Sequence, residues 1–250
     1  MIKITKLNKS FKNKPVLTNL DLHICRGETL VIIGQSGGGK SVLLKNIIGL
    51  LKPDVGRIEV DGVDIVPLSD KQMIPIRKRC GMLFQGAALF DSLTVWENVS
   101  FGIIEHKLMS LDKAKAKVRE LLSLIGLEGI ENVKPAELSG GMRKRVGLAR
   151  AIAMDPEIIF YDEPTTGLDP IMGDVINNLI LKMRDRYKAT SIVVTHDMAS
   201  AYKVADRIAM LYNGEIIEIG TPDEIRNSKN AILRQFIAGS ADGPIKFDRR

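Results

Sequence analysis

Cysteine, histidine and tryptophan are scarce in this chain. Its 250 residues include 2 Cys, 3 His and 1 Trp, and aromatic residues amount to 5%. Cys25 and Cys80 stand alone, in no Cys-x-x-Cys pair, so neither a disulfide framework nor a thiolate zinc module is expected. His23, His106 and His196 are scattered, and no metal cluster emerges from them. The formal net charge is +6, but the Lys and Arg residues form no long block and have no aromatic stacking platform beside them, so nucleic acid is not an expected partner. No apolar stretch approaches the roughly 18–20 residues of a membrane-spanning helix. Met1-Ile2-Lys3-Ile4-Thr5-Lys6 alternates like a strand and lacks the apolar region of a secretory signal. A soluble, cytoplasmic chain is expected, with no repeat or low-complexity tract.

What remains is an ordinary globular composition, 45% hydrophobic and 26% charged. Ile2 to Leu7, Leu20 to Ile24 and Arg57 to Val60 alternate in the strand period, and Asp61-Gly62 signals a hairpin to Val63-Asp64-Ile65. Thr29 to Ile33, Ile158 to Tyr161 and Ser191 to Val194 are continuous apolar runs typical of strands buried on both faces. Helical patterns separate them, which predicts an α/β fold with a mostly parallel sheet. From about Leu93 to Ala153 the period is helical. Ala114, Val118, Leu121, Leu122 and Ile125 share a face, Gly126 offers a C-cap and Pro135 breaks the chain, so this stretch predicts an inserted helical subdomain. Asn213-Gly214 joins Ile208–Tyr212 to Glu215–Ile219 as a hairpin, and Gly239 to Arg250 is expected to be an extended polar tail.

The chemistry begins at Gly34-Gln35-Ser36-Gly37-Gly38-Gly39-Lys40-Ser41, which satisfies G-x-x-x-x-G-K-[ST]. Such a loop turns its N–H groups onto phosphate oxygens. Lys40 reaches the β- and γ-phosphates and the Ser41 hydroxyl can ligate Mg²⁺. The loop follows a buried strand and precedes the helical run Val42 to Leu51, as the motif requires. Ile158 to Glu163 supplies the matching half: Asp162 ends a buried strand beside the phosphates, where it can hold Mg²⁺, and Glu163 is placed to polarise an attacking water.

Leu138-Ser139-Gly140-Gly141-Met142-Arg143-Lys144-Arg145 resembles the signature motif of ABC ATPases, with Met142 where Gln is usual. The resemblance extends over nearly the whole chain with the motifs in order. It implies a P-loop NTPase core sheet carrying an N-terminal antiparallel β subdomain and an inserted helical subdomain. The ABC ATPase domain then covers 1–238, with the helical subdomain at about 87–155 and a C-terminal tail at 239–250. It also implies ATP and Mg²⁺ as cofactors, held by Gly34 to Ser41 and Val42, with Phe11 stacking on adenine. Gln85 would contact Mg²⁺ and the lytic water, His196 would contact the γ-phosphate, and Thr166-Gly167-Leu168-Asp169 would cross a dimer interface. Two copies would pack head to tail, so that Ser139, Gly140 and Gly141 complete the partner's site. The plain alternative for those three residues is a helix N-cap with a flexible turn.

Leu83 to Val99, Leu138 to Ile152, Asp162 to Ile171 and the Phe236–Gly239 and Asp242–Pro244 pieces look like the Mla-type lipid-transport branch of the family. That likeness implies integral membrane permease subunits and an MCE-type lipid-binding protein as partners. The chain would then sit at the cytoplasmic face of a bacterial inner membrane. Gly86-Ala87-Ala88 would leave a groove for the permease, with Leu89 and Phe90 on its wall. An importer ATPase for a polar solute stays open, as does a soluble ABC ATPase acting on nucleic acid.

Overall fold

The computed structural model describes residues 1–246. They fall into two compact units, Met1–Leu68 together with the chain from Val194, and Ser69–Val193. The chain starts in the first unit with β1 (Ile2–Phe11), β2 (Lys14–Ile24), β3 (Thr29–Ile33), α1 (Lys40–Ile47), β4 (Val55–Val60) and β5 (Val63–Asp64). The second unit holds α2 (Asp70–Lys78), β6 (Cys80–Leu83), α3 (Val95–Glu105), α4 (Leu111–Leu124), α5 (Gly140–Ile152), β7 (Ile158–Asp162) and α6 (Pro170–Tyr187). β8 (Thr190–Thr195) begins in that unit and ends in the first. The chain then returns to the first unit through α7 (Met198–Val204), β9 (Arg207–Tyr212), β10 (Glu215–Gly220), α8 (Pro222–Arg226) and α9 (Ala231–Ala238).

In the first unit, an antiparallel sheet runs in the order β2-β1-β4-β5. Ile2, Ile4 and Leu7 point into the core while Lys3 faces out, the alternation seen in the sequence. Both leading strands are longer than that alternation predicts. β1 continues to Phe11 and β2 starts at Lys14, through register shifts where Lys6 and Asn19 adopt φ of 48° and 42°. Such bulges put two residues opposite one and break the period of two. Strands β10-β9-β3 lie in this unit as well, with β3 parallel to β9 and the Asn213-Gly214 turn between β9 and β10. α1 begins at Lys40 and ends at Ile47, two residues before Gly49, which takes φ of 73°.

Beyond α9 the chain does not run on as the expected extended tail. Gly239, at φ 62°, ends the helix, and the chain turns back so that Ile245 is only 4% exposed. The Gln235 amide holds the turn. Its Oε1 accepts from Ile245 N at 2.6 Å, and its Nε2 donates to Ser240 O and Ile245 O at 3.2 Å. One apolar side chain and one satisfied amide are enough to fold an otherwise polar segment. The rest of the expected tail, residues 247–250, lies outside the described residues.

In the second unit the strands run β8-β7-β6. β6 pairs parallel to β7, with Leu83 opposite Tyr161. It is four residues long and contains Cys80 and Gly81, so no apolar run announces it in the sequence. α3, α4 and α5 form the predicted helical part. α4 buries Ala114, Val118, Leu121 and Leu122, and Gly126 follows its C-cap at φ 67°. Thr94 and Glu97 form a capping box at the start of α3. Buried Asn98 fixes the stretch before it, donating to Phe90 O, Leu93 O and Thr94 O at 3.0–3.1 Å. Among the described residues no helix is long and apolar enough to cross a membrane.

Candidate functional site

The sequence-predicted residues fall into two groups, one in each unit. Phe11, Gly34 to Val42 and His196 belong to the first. Gln85, Ser139 to Gly141, Asp162 and Glu163 belong to the second.

In the first group the loop leaves buried β3 and enters α1. Gly34 has to be glycine: at φ 153° a Cβ would sit 2.3 Å from the Leu211 main-chain oxygen. Gly39 caps α1 in the left-handed conformation at φ 97°, where side chains are disfavoured. Lys40 is 5% exposed, and its ammonium donates to Gly34 O at 2.8 Å and Gln35 O at 2.9 Å. The cation is therefore fixed inside the loop whose N–H groups open α1, an arrangement that favours anions. His196 follows β8 directly, and Asp197 behind it caps α7 through Ala199 N and Ser200 N. A cavity of about 660 Å³ is lined by Gln35, Ser36 and His196 together with Phe236, Ser240 and Lys246. Phe11 ends β1, 44% exposed, with the Lys9 ammonium 5.4 Å from its ring centroid. It lines neither that cavity nor a smaller one of about 330 Å³ bounded by Val16, Gln35, Gly38 and Asn213.

In the second group Asp162 ends β7 and Glu163 follows; each is 7% exposed. Glu163 takes φ of 49°, a left-handed backbone that costs a non-glycine residue about 1–2 kcal/mol. Its surroundings hold it there. The main-chain oxygen accepts from Lys144 Nζ at 2.9 Å and Thr166 N at 3.3 Å, and the carboxylate accepts from Thr166 Oγ1 at 2.9 Å. Lys144 is itself 6% exposed. Burial pulls its ammonium below the ordinary lysine range, while Glu163 and Asp162 push it back up. Gln85, exposed, lies two residues beyond β6, so it leaves the sheet at the same end as Asp162 leaves β7.

The signature residues open α5. Ser139 is its N-cap, the hydroxyl accepting from Met142 N at 3.2 Å, and Gly140 is exposed. The plain helix-cap reading is thus geometrically true, and the Ser139 hydroxyl satisfies one of the first-turn N–H groups. A Cβ on Gly141 would lie 2.8 Å from Met172 Cε. Asp169 caps α6 by accepting from Ile171 N and Met172 N, both at 3.0 Å. Ala87 and Ala88 adopt left-handed φ of 61° and 47°, and Arg150 clamps their carbonyls with two 2.6 Å hydrogen bonds. Ala88 and Phe90 are exposed; Phe90 stacks at a tilt on Phe101, centroids 4.8 Å apart.

Sequence reasoning missed three supports of this arrangement: Lys144, Arg150 and the Thr166 hydroxyl. Lys144 had a signal. It lies on the α5 stripe of Gly141, Leu148 and Ile152, which is a buried face. Arg150 and Thr166 had none, since their partners are main-chain or loop atoms.

A glycine-rich loop between a buried strand and a helix, an Asp-Glu pair ending a second strand, and a Ser-Gly-Gly helix cap together define a nucleotide-binding cassette. The profile of the family described as ABC transporter matches residues 17–166. The chain belongs to the ABC transporter family, and its activity is ATP binding and hydrolysis. It is 41% identical over 244 residues to the probable ribonucleotide transport ATP-binding protein mkl of Mycobacterium tuberculosis (strain ATCC 25618 / H37Rv), covering 98% of this chain and 68% of that one. It is 40% identical over 247 residues to the intermembrane phospholipid transport system ATP-binding protein MlaF of Haemophilus influenzae, covering 99% of this chain and 94% of the relative. Among solved structures it resembles the ATP-binding cassette MJ0796, a dimer bound to ADP and Pi in a post-hydrolysis state. There the TM-score is 0.83 and the identity 35%, covering 89% of this chain and 99% of that one.

Proposed function

We propose that the chain is the ATP-hydrolysing subunit of a transporter that moves phospholipids between inner and outer membranes. It works as a head-to-tail pair with separate permease subunits and an MCE-type lipid-binding protein, and sits at the cytoplasmic face of the inner membrane through the permease. The observation that carries this reading is the end-to-end likeness to the H. influenzae intermembrane phospholipid protein. The name of the mycobacterial relative favours a second reading, a ribonucleotide carrier, which is a form of the polar-solute importer.

In this reading Gly34 to Val42 hold the nucleotide phosphates, Lys40 neutralises their charge and Phe11 stacks on adenine. Glu163 orients and polarises the attacking water, Gln85 contacts Mg²⁺ and that water, His196 contacts the γ-phosphate, and Ser139 to Gly141 complete the partner's site. The left-handed Glu163, held by Lys144 and Thr166, supports the assignment, because backbone strain persists where surrounding contacts over-determine it. Mg²⁺, when bound, supplies charge neutralisation at the phosphates. The Ser41 hydroxyl, Asp162 carboxylate and Gln85 amide are oxygen donors of the type it takes.

The test is reconstitution of the chain with its permease in lipid vesicles. ATP-dependent movement of labelled phospholipid between vesicle populations, lost in Lys40→Ala, is expected. ATP-dependent uptake of ribonucleotides with no lipid movement would overturn the phospholipid reading and establish the second.

A further inference from the structure

The buried Lys144 has no role in the motifs that identify the site. Carrying an ammonium into a buried position is unfavourable unless partners are supplied. Here its hydrogen-bond acceptor is a main-chain carbonyl, that of Glu163. An uncharged donor could serve a carbonyl equally well. The charge is matched instead by the two buried carboxylates that act on it, Glu163 and Asp162.

The second observation is the backbone of Glu163, held at φ 49° with its carbonyl turned toward Lys144 Nζ at 2.9 Å. The third is placement. Lys144 is the fifth residue of α5, whose N-cap is Ser139. Five residues of helix span about 7.5 Å. We infer that Lys144 is a positioning residue: it fixes the left-handed Glu163 peptide, and so the direction of the Glu163 carboxylate, from the same rigid helix that presents Ser139. The inference rests on the proposed reading of Glu163 as the group that polarises water. On that reading α5 meets the partner's nucleotide at its N-terminus and governs its own chain's lytic carboxylate one and a half turns later. A shift of α5 is delivered directly to the Glu163 peptide.

The experiment measures ATP turnover by the full chain in Lys144→Met, Lys144→Arg, Glu163→Gln and the Lys144→Met/Glu163→Gln double variant. ATP binding and thermal melting are followed in parallel. Lys144→Met should lower kcat at least tenfold with KM for ATP changed less than about twofold, the pattern of an interaction that matters in the reaction and not in binding. Lys144→Arg, which keeps a cationic donor, should turn over faster than Lys144→Met. On the Glu163→Gln background, Lys144→Met should cause no further loss, since both act through one group. If Lys144→Met does not fold, Lys144→Leu carries the same expectation, because it too removes the donor to the Glu163 carbonyl. A normal kcat in the folded uncharged variant, or an equal additional loss on the Glu163→Gln background, would overturn the inference. Normal turnover in Glu163→Gln alone would overturn the reading of Glu163 on which it stands.

Discussion

Gly81→Ala is the sharpest packing test the fold offers. Gly81 sits in β6, and a Cβ there would lie 2.0 Å from the main-chain oxygen of Ala151 and 2.9 Å from its carbonyl carbon, at the end of α5. Its φ is not positive, so backbone strain plays no part. An ordinary carbon–oxygen contact needs about 1.4 Å more, and the neighbour is backbone in a helix with nowhere to rotate. Overpacking usually costs 1–3 kcal/mol, and the rigidity of this neighbour places the change at about 3 kcal/mol. For a chain of this size that corresponds to a fall of roughly 6–12 °C in Tm. Gly86→Ala is the matched control. Nothing lies within 4 Å of its Cβ, so a change within about 0.5 kcal/mol is expected. Thermal and guanidinium melts of the two variants read the difference. A Gly81→Ala protein that melts within about 2 °C of its parent, well inside the expected fall, would refute this, because β6 and α5 would then not be in close contact.

Two other expectations concern the surface and the thiols. On the proposed reading, Ala88→Leu, at an exposed φ of 47°, should reduce co-purification with a permease while ATP binding persists; unchanged association would show that Gly86 to Ala88 leave no groove for it. Cys25 is exposed, whereas burial pushes the Cys80 thiol up to about 12, with Arg79 lowering it slightly, and its Sγ donates to Ile76 O. A raised thiol pKa means less thiolate at a given pH, on the order of one part in ten thousand at pH 8, so Cys80 should be inert. Iodoacetamide labelling read by mass spectrometry should find the adduct on Cys25 alone, and comparable labelling of Cys80 would contradict its enclosure.

The residues that announce themselves in the sequence do so because local physics demands their type. Gly34 and Gly39 are fixed by a close approach and a left-handed cap, Thr29 to Ile33 by burial on both faces, and Asn213-Gly214 by a tight hairpin. The positions of Asp162 and Glu163 after an apolar strand were legible for the same reason. The bulges at Lys6 and Asn19, the four-residue β6 and the turn clamped by Gln235 were not. Each depends on a pairing with another segment or on a single side-chain contact, which no period records. Met142 illustrates the limit from the other side. It distinguishes the signature from its usual form, yet structurally its N–H is simply the donor that Ser139 caps.

On the proposed reading, Glu163 activates water in a site that two copies share. Turnover and size of the Glu163→Gln variant in ATP test that role most directly. Loss of a general base lowers rates by about 10²–10⁴-fold. The variant should bind ATP, hydrolyse it at least 100-fold more slowly and elute as a stable dimer while ATP remains. A Glu163→Gln protein that turns over ATP at the parent rate, or stays monomeric with ATP bound, would contradict it.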